Sequence, residues 1–177
     1  MDWWSQRQGS GPRVAQRDRP PSLAQLSSEL LVGEYPRDID VEWLKREHRV
    51  TAVHNLQDDE DFKNYGVDLE RMRRIYRQHG IKLVHTPIPD GSADALGTRL
   101  VDAIEELNAL IDAGERGYLH CNAGMNRAPT VAIAFLRAHR GMSLNEALAL
   151  VKQQRACGPF MTVLEEHFGG RDLKPTR

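Results

Sequence analysis

Two cysteines in 177 residues, Cys121 and Cys157, are too few for a disulfide framework. Their scarcity fits a reducing, cytoplasmic setting in which a thiol can stay reactive. No apolar run reaches the length of a membrane span, and the N-terminus lacks the apolar stretch of a signal peptide. A formal net charge of −1 gives no global attraction to nucleic acid or to a membrane surface. No His and Cys residues stand at metal-ligand spacing, so neither a metal nor another cofactor is expected. The chain shows no internal repeat. What remains is a chain long enough for one domain with a good core, expected to be a monomer.

Residues 1–22 are polar and rich in Arg, Gly, Pro and Gln, the composition of a disordered leader; its Trp3-Trp4 pair is a possible docking anchor. Residues 23–168 alternate short apolar runs with amphipathic ones, and 169–177 form a polar tail. Strands are expected at 29–33, 50–56, 81–85 and 117–120. Helices are expected at 41–47, 68–79, 98–113, 127–140, after Ser143, and at 160–168. Alternation of this kind implies an α/β domain with a central, mainly parallel sheet flanked by helices on both faces. The strand at 117–120 then feeds a loop at its carboxyl end, where ligands bind in such sheets.

That loop is the most informative stretch: His120-Cys121-Asn122-Ala123-Gly124-Met125-Asn126-Arg127-Ala128-Pro129. Successive backbone N–H groups from Asn122, Ala123, Gly124, Met125, Asn126 and Arg127 can curl around an anion, with the following helix aiming its positive end at the same point. The same field favours a thiolate at Cys121. Arg127 can grip two oxygens with its fork, and Gly124 lets the backbone approach closely. Pro129 fits a first helical turn, where its missing N–H costs little. A cation placed at the positive end of a helix is unfavourable unless an anion joins it. The pattern therefore points to phosphoryl chemistry on a cysteine. Such chemistry also needs a proton donor for the leaving oxygen. Asp90, in Pro87-Ile88-Pro89-Asp90-Gly91-Ser92, and Asp94 are the candidates.

On these residues the chain resembles the dual-specificity branch of the protein tyrosine phosphatase superfamily. The resemblance implies a single cysteine-phosphatase domain with Cys121 as nucleophile, Arg127 as oxyanion grip and Asp90, rather than Asp94, as general acid. It also implies a supporting role for His120 beside the loop. The residue after the loop arginine departs from many members of that branch, which carry Ser or Thr there; here it is Ala128, and Thr130 is the next hydroxyl.

A second resemblance is finer. The run Asn55-Leu56-Gln57-Asp58-Asp59-Glu60-Asp61, then Tyr65-Gly66-Val67-Asp68-Leu69, is similar to the plant glucan phosphatases that act on starch. So are Arg127-Ala128-Pro129 and Cys157-Gly158-Pro159, while Cys121-Asn122-Ala123-Gly124 is shared with laforin, the animal glycogen phosphatase. The implied substrate is a phosphorylated glucan, with a phosphoprotein as the alternative. Trp43, Tyr65 and Tyr76 are the candidate sugar platforms. By itself, the Asp58–Asp61 run reads as a solvated acidic loop. A phosphate-binding module without catalysis would be expected to lack the cysteine, the arginine or the acid. A rhodanese-type sulfur transferase would need no acid loop.

Overall fold

A computed structural model describes residues 17–171. Trp3-Trp4 and residues 172–177 of the tail lie outside the described residues. Five strands form one sheet in the order β1-β2-β5-β3-β4: β1 (Leu23–Gln25), β2 (Leu30–Gly33), β3 (Ala52–Asn55), β4 (Lys82–His85) and β5 (Gly117–His120). All neighbours are parallel except β1, which runs antiparallel along β2. β2, β3 and β5 are buried throughout, as expected where both faces of a parallel sheet are covered.

Alternating side chains divide the core in two. Leu30, Val32 and Leu119 face one layer of helices: α4 (Ala93–Asp112), α5 (Arg127–His139), α6 (Leu144–Gln154) and α7 (Met161–Phe168). Leu31, Val53 and Tyr118 face the other, where α1 (Val41–His48) supplies Val41 and Leu44 and α3 (Leu69–Gln78) supplies Met72 and Tyr76. A short helix, α2 (Asp59–Tyr65), connects β3 to α3. Tyr76 is thus a core residue rather than a sugar platform. The expected α/β architecture stands.

Three local readings change. β1 was not expected, because three residues carry too little pattern. The acidic run at 58–61 is not a solvated loop: Asp58 caps α2 by accepting from the Asp61 amide at 2.9 Å, and Asp61 returns the bond to the Asp58 amide. α4 begins at Ala93, five residues before the expected 98, because Ser92 caps it by accepting from the Ala95 amide. Residues 17–22 run along the domain. Arg17 donates to the Glu34 carboxylate at 2.8 Å and to the Tyr35 carbonyl at 2.9 Å, and the Ser22 amide donates to Glu34 at 2.8 Å. No helix among the described residues is long and apolar enough to cross a membrane.

Candidate active site

β5 is the middle strand, and the chain leaves it at His120 into the loop that starts α5. α5 is buried from Arg127 through Arg137, so its start cannot drift. No side chain caps α5, as none caps α1 or α7, and its first turn has no acidic residue. Asn126, at its N-cap, instead donates its side chain to the Gly158 carbonyl at 2.7 Å. The amides of the α5 start are thereby left for a ligand.

The loop carbonyls show where its amides point. His120 Nδ1 donates to the Cys121 carbonyl at 3.1 Å. The Tyr35 amide donates to the Asn122 carbonyl at 2.9 Å. Arg155 donates from Nη2 to the Ala123 carbonyl and from Nε to the Gly124 carbonyl, each at 2.7 Å. The Gly158 amide donates to the Met125 carbonyl at 2.8 Å. In a planar trans peptide the C=O of one residue and the N–H of the next point in opposite directions. Fixing these five carbonyls on the outside turns the amides of Asn122, Ala123, Gly124, Met125 and Asn126 to the inside.

Gly124 adopts φ 65°, and a Cβ there would lie 2.5 Å from the backbone of Gly33. Only glycine satisfies both the left-handed backbone and the contact with β2. Cys121, at the loop's start, is 3% exposed.

Arg127 is 1% exposed and is held by one nitrogen. Its Nη1 donates to Asp61 Oδ2 at 2.6 Å and to the Ile88 carbonyl at 2.7 Å. Nε and Nη2, the other edge of the fork, make no hydrogen bond. Asp90 Oδ1 lies 3.1 Å from Nε but out of line for one, and its other oxygen accepts from Asn122 at 3.4 Å. Asp61 also accepts from Asn122 Nδ2 at 2.5 Å, and Gln57 donates to Asn122 Oδ1 at 2.8 Å. Burial pushes the Asp61 carboxyl up, but hydrogen bonds from Arg127 and Asn122 outweigh it and hold Asp61 below its ordinary range.

Of the two candidate acids, Asp90 sits beside Arg127, on a loop pinned by the Ile88 amide donating to the Leu56 carbonyl. Asp94 lies in the first turn of α4, in a separate cleft with Thr162 and Glu166. His120 is fully buried next to the loop. Burial holds its imidazole down at about 3, so it is neutral, with the proton on the Nδ1 that faces the Cys121 carbonyl. Thr130 does not face the cysteine; its hydroxyl donates to the Asn126 carbonyl and accepts from the Phe160 amide. Among the described residues no three His, Cys, Asp or Glu side chains converge as metal ligands.

A cleft of about 210 Å³ opens beside Asp61, Asp90 and Asn122, with Tyr65 on its rim. Tyr65 also borders a second groove of about 440 Å³ that contains Tyr35, Arg37 and Arg71; the two tyrosine rings are 5.3 Å apart. Sequence reasoning missed Asp61 as the anchor of Arg127, and it missed Arg155. The only signal for Asp61 was the finer resemblance, and Arg155 carried none.

Comparison with known proteins agrees with the resemblance read from the loop. Residues 31–166 match the family model for the dual specificity phosphatase catalytic domain. A phosphoglucan phosphatase of Castanea sativa, DSP4, is 30% identical over 145 residues, spanning 79% of this chain and 38% of that protein. Laforin of Mus musculus is 26% identical over 143 residues, spanning 75% of this chain and 43% of laforin. The chain thus spans about two fifths of the length of these relatives. Among solved structures, Tk-PTP in its active form superposes with a TM-score of 0.69 at 26% identity, covering 82% of this chain and 95% of that one.

Proposed function

The chain belongs to the dual-specificity phosphatase catalytic-domain family, and from that premise we propose that it hydrolyses phosphate monoesters through a phosphocysteine, with a phosphorylated glucan as favoured substrate. The observation that carries the chemistry is Arg127. Its buried Nε and Nη2 edge makes no hydrogen bond and is met only by the half-exposed Asp90 carboxylate at 3.1 Å; it stands beside an inward ring of amides, and both ask for an oxyanion that can accept from them. A phosphoryl group fits both demands.

Cys121 Sγ attacks phosphorus as the ester P–O bond breaks, and the leaving oxygen takes the proton of Asp90. The Arg127 edge and the loop amides hold the equatorial oxygens, whose charge is best stabilised in the transition state. Water then gives a proton to the Asp90 carboxylate, its oxygen bonds to phosphorus, and the Sγ–P bond breaks. Inorganic phosphate leaves and the thiolate returns.

Two features support the glucan. The relatives named above include a phosphoglucan phosphatase. The groove bordered by Tyr65 adjoins the reactive cleft and places the half-buried Tyr65 ring and the Asp38-paired Arg71 beside it, groups that suit a polyhydroxylated chain.

The test is phosphate release from phosphorylated amylopectin and glycogen, set against a phosphopeptide panel and an activated aryl phosphate. Wild-type protein is expected to act on all esters, fastest on the glucans. Cys121→Ser should abolish release while anions still bind. Asp90→Ala should slow the alkyl esters much more than the aryl ester, because a poor leaving group needs the proton; Asp94→Ala should not. Turnover by Cys121→Ser would refute the mechanism. Faster release from phosphopeptides would refute only the glucan preference.

A further inference from the structure

Arg155 ends α6 and lies 32 residues beyond Ala123, outside the stretch that forms the loop. Its guanidinium makes three contacts. Nη2 and Nε donate to the successive carbonyls of Ala123 and Gly124, and Nη1 donates to the Ser22 hydroxyl at 3.0 Å. Three residues on, the Gly158 amide takes the next carbonyl, that of Met125.

We infer that Arg155 is a positioning residue for the anion cradle: it fixes the peptide planes that aim the Gly124 and Met125 amides at the phosphoryl group. The inference rests on the phosphatase reading of the loop. The physical reason is peptide planarity. Free to rotate, the Ala123–Gly124 and Gly124–Met125 planes could turn a carbonyl oxygen toward the anion instead of an N–H. Gly124 makes this flip easier than elsewhere, because glycine permits both backbone orientations. A planar guanidinium meets both carbonyls at once; a lysine ammonium reaches one of them well. The link to Ser22 ties the same clamp to the segment that precedes β1, which Glu34 also holds through the Ser22 amide. Arg155 meets the carbonyl side of the Ala123–Gly124 and Gly124–Met125 peptides, opposite their amides, so its effect on an anion would pass through the backbone.

The experiment compares wild type with Arg155→Met, which keeps the apolar stem, and Arg155→Lys, which keeps the charge. Tungstate affinity is measured by calorimetry, kcat and KM on an aryl phosphate, and folding by thermal melts. Arg155→Met is expected to weaken tungstate binding by roughly tenfold to a hundredfold, the scale of losing one or two charge-assisted hydrogen bonds. It should lower kcat as well as raise KM, because the amides matter most in the transition state. Arg155→Lys should recover part of both. Added methylguanidinium should restore tungstate affinity to Arg155→Met without changing wild type. Unchanged affinity and kcat in a folded Arg155→Met overturn the inference. So does a loss confined to the melting temperature, and Arg155→Lys decides the case if Arg155→Met does not fold. Wild type that binds tungstate but releases no phosphate refutes the phosphatase reading and leaves Arg155 to be judged by affinity. Wild type that binds no tungstate overturns both.

Discussion

Asp61 and Ile88 hold Arg127 by Nη1, which fixes the guanidinium and leaves its other edge without a hydrogen bond, facing Asp90. Asp61→Asn keeps the shape but removes the charge. The buried cation then keeps only the half-exposed Asp90 carboxylate; breaking a buried pair typically costs about 3–5 kcal/mol, which is the upper bound here. Thermal melts and activity should fall together, with kcat lowered by about 10²-fold as the fork loses its orientation. The sign in acid is also fixed. The Asp61 carboxyl lies below its ordinary range, so its contribution is full above that range and is lost as pH falls through the depressed value. Asp61→Asn should therefore lose less stability on acidification than wild type, in urea melts taken from neutral pH downward. A steeper acid loss in the variant would contradict the assignment. Cys121, Gly124 and Arg127 were legible in the sequence because one continuous stretch carries them. Asp61 stands 66 residues from Arg127, and nothing local distinguishes an aspartate that caps a helix from one that also anchors a cation.

At the scale of elements, the loop is shaped by what it packs against. β2 presents Gly33 to Gly124, α6 presents Arg155, and the turn before α7 presents Gly158. Gly124→Ala tests this packing. Its Cβ would meet the Gly33 carbonyl carbon and oxygen at 2.5 Å, both rigid backbone, in a left-handed conformation. Gly91→Ala is the control, with φ 71° but open space around it. The control should cost about 1–2 kcal/mol, the left-handed penalty alone. Gly124→Ala should cost more than that and abolish tungstate binding, as read by melts and titration. Equal costs would mean that β2 does not shape the loop. The helices were largely readable because apolar stripes and caps repeat over many residues. β1 was not, because its pairing with β2 lies in the backbone rather than in any side-chain pattern. α2 was hidden for a different reason: its first turn is so acidic that composition alone suggests a solvated loop.

The whole molecule should show the same bias in acid. Glu34 is held down at about 2: burial opposes this, but Arg19, the Ser22 amide and Arg17 together prevail. His120 is held near 3 instead of 6.5, and burial also lowers His54, against the pull of Glu106. Each group binds its proton more readily in the unfolded chain, so each makes stability rise with pH within its own window. The windows differ. Below about 6.5 the unfolded chain protonates its histidines while the buried ones stay neutral, so the first losses come from His120 and His54. The carboxylates follow, as pH drops from the ordinary glutamate value of 4.5 toward 2 for Glu34. His120→Asn separates the stages. The asparagine amide can still donate to the Cys121 carbonyl from the position of Nδ1, but it does not titrate. The cost of keeping His120 neutral at pH 5 is about 2 kcal/mol relative to the unfolded chain, from 2.303RT per pH unit below 6.5. Urea unfolding at pH 7.5, 6 and 5 is the measurement. Wild type should lose stability across that range, and His120→Asn should lose about 2 kcal/mol less between the first and last points. Parallel curves would show that His120 is protonated inside the fold.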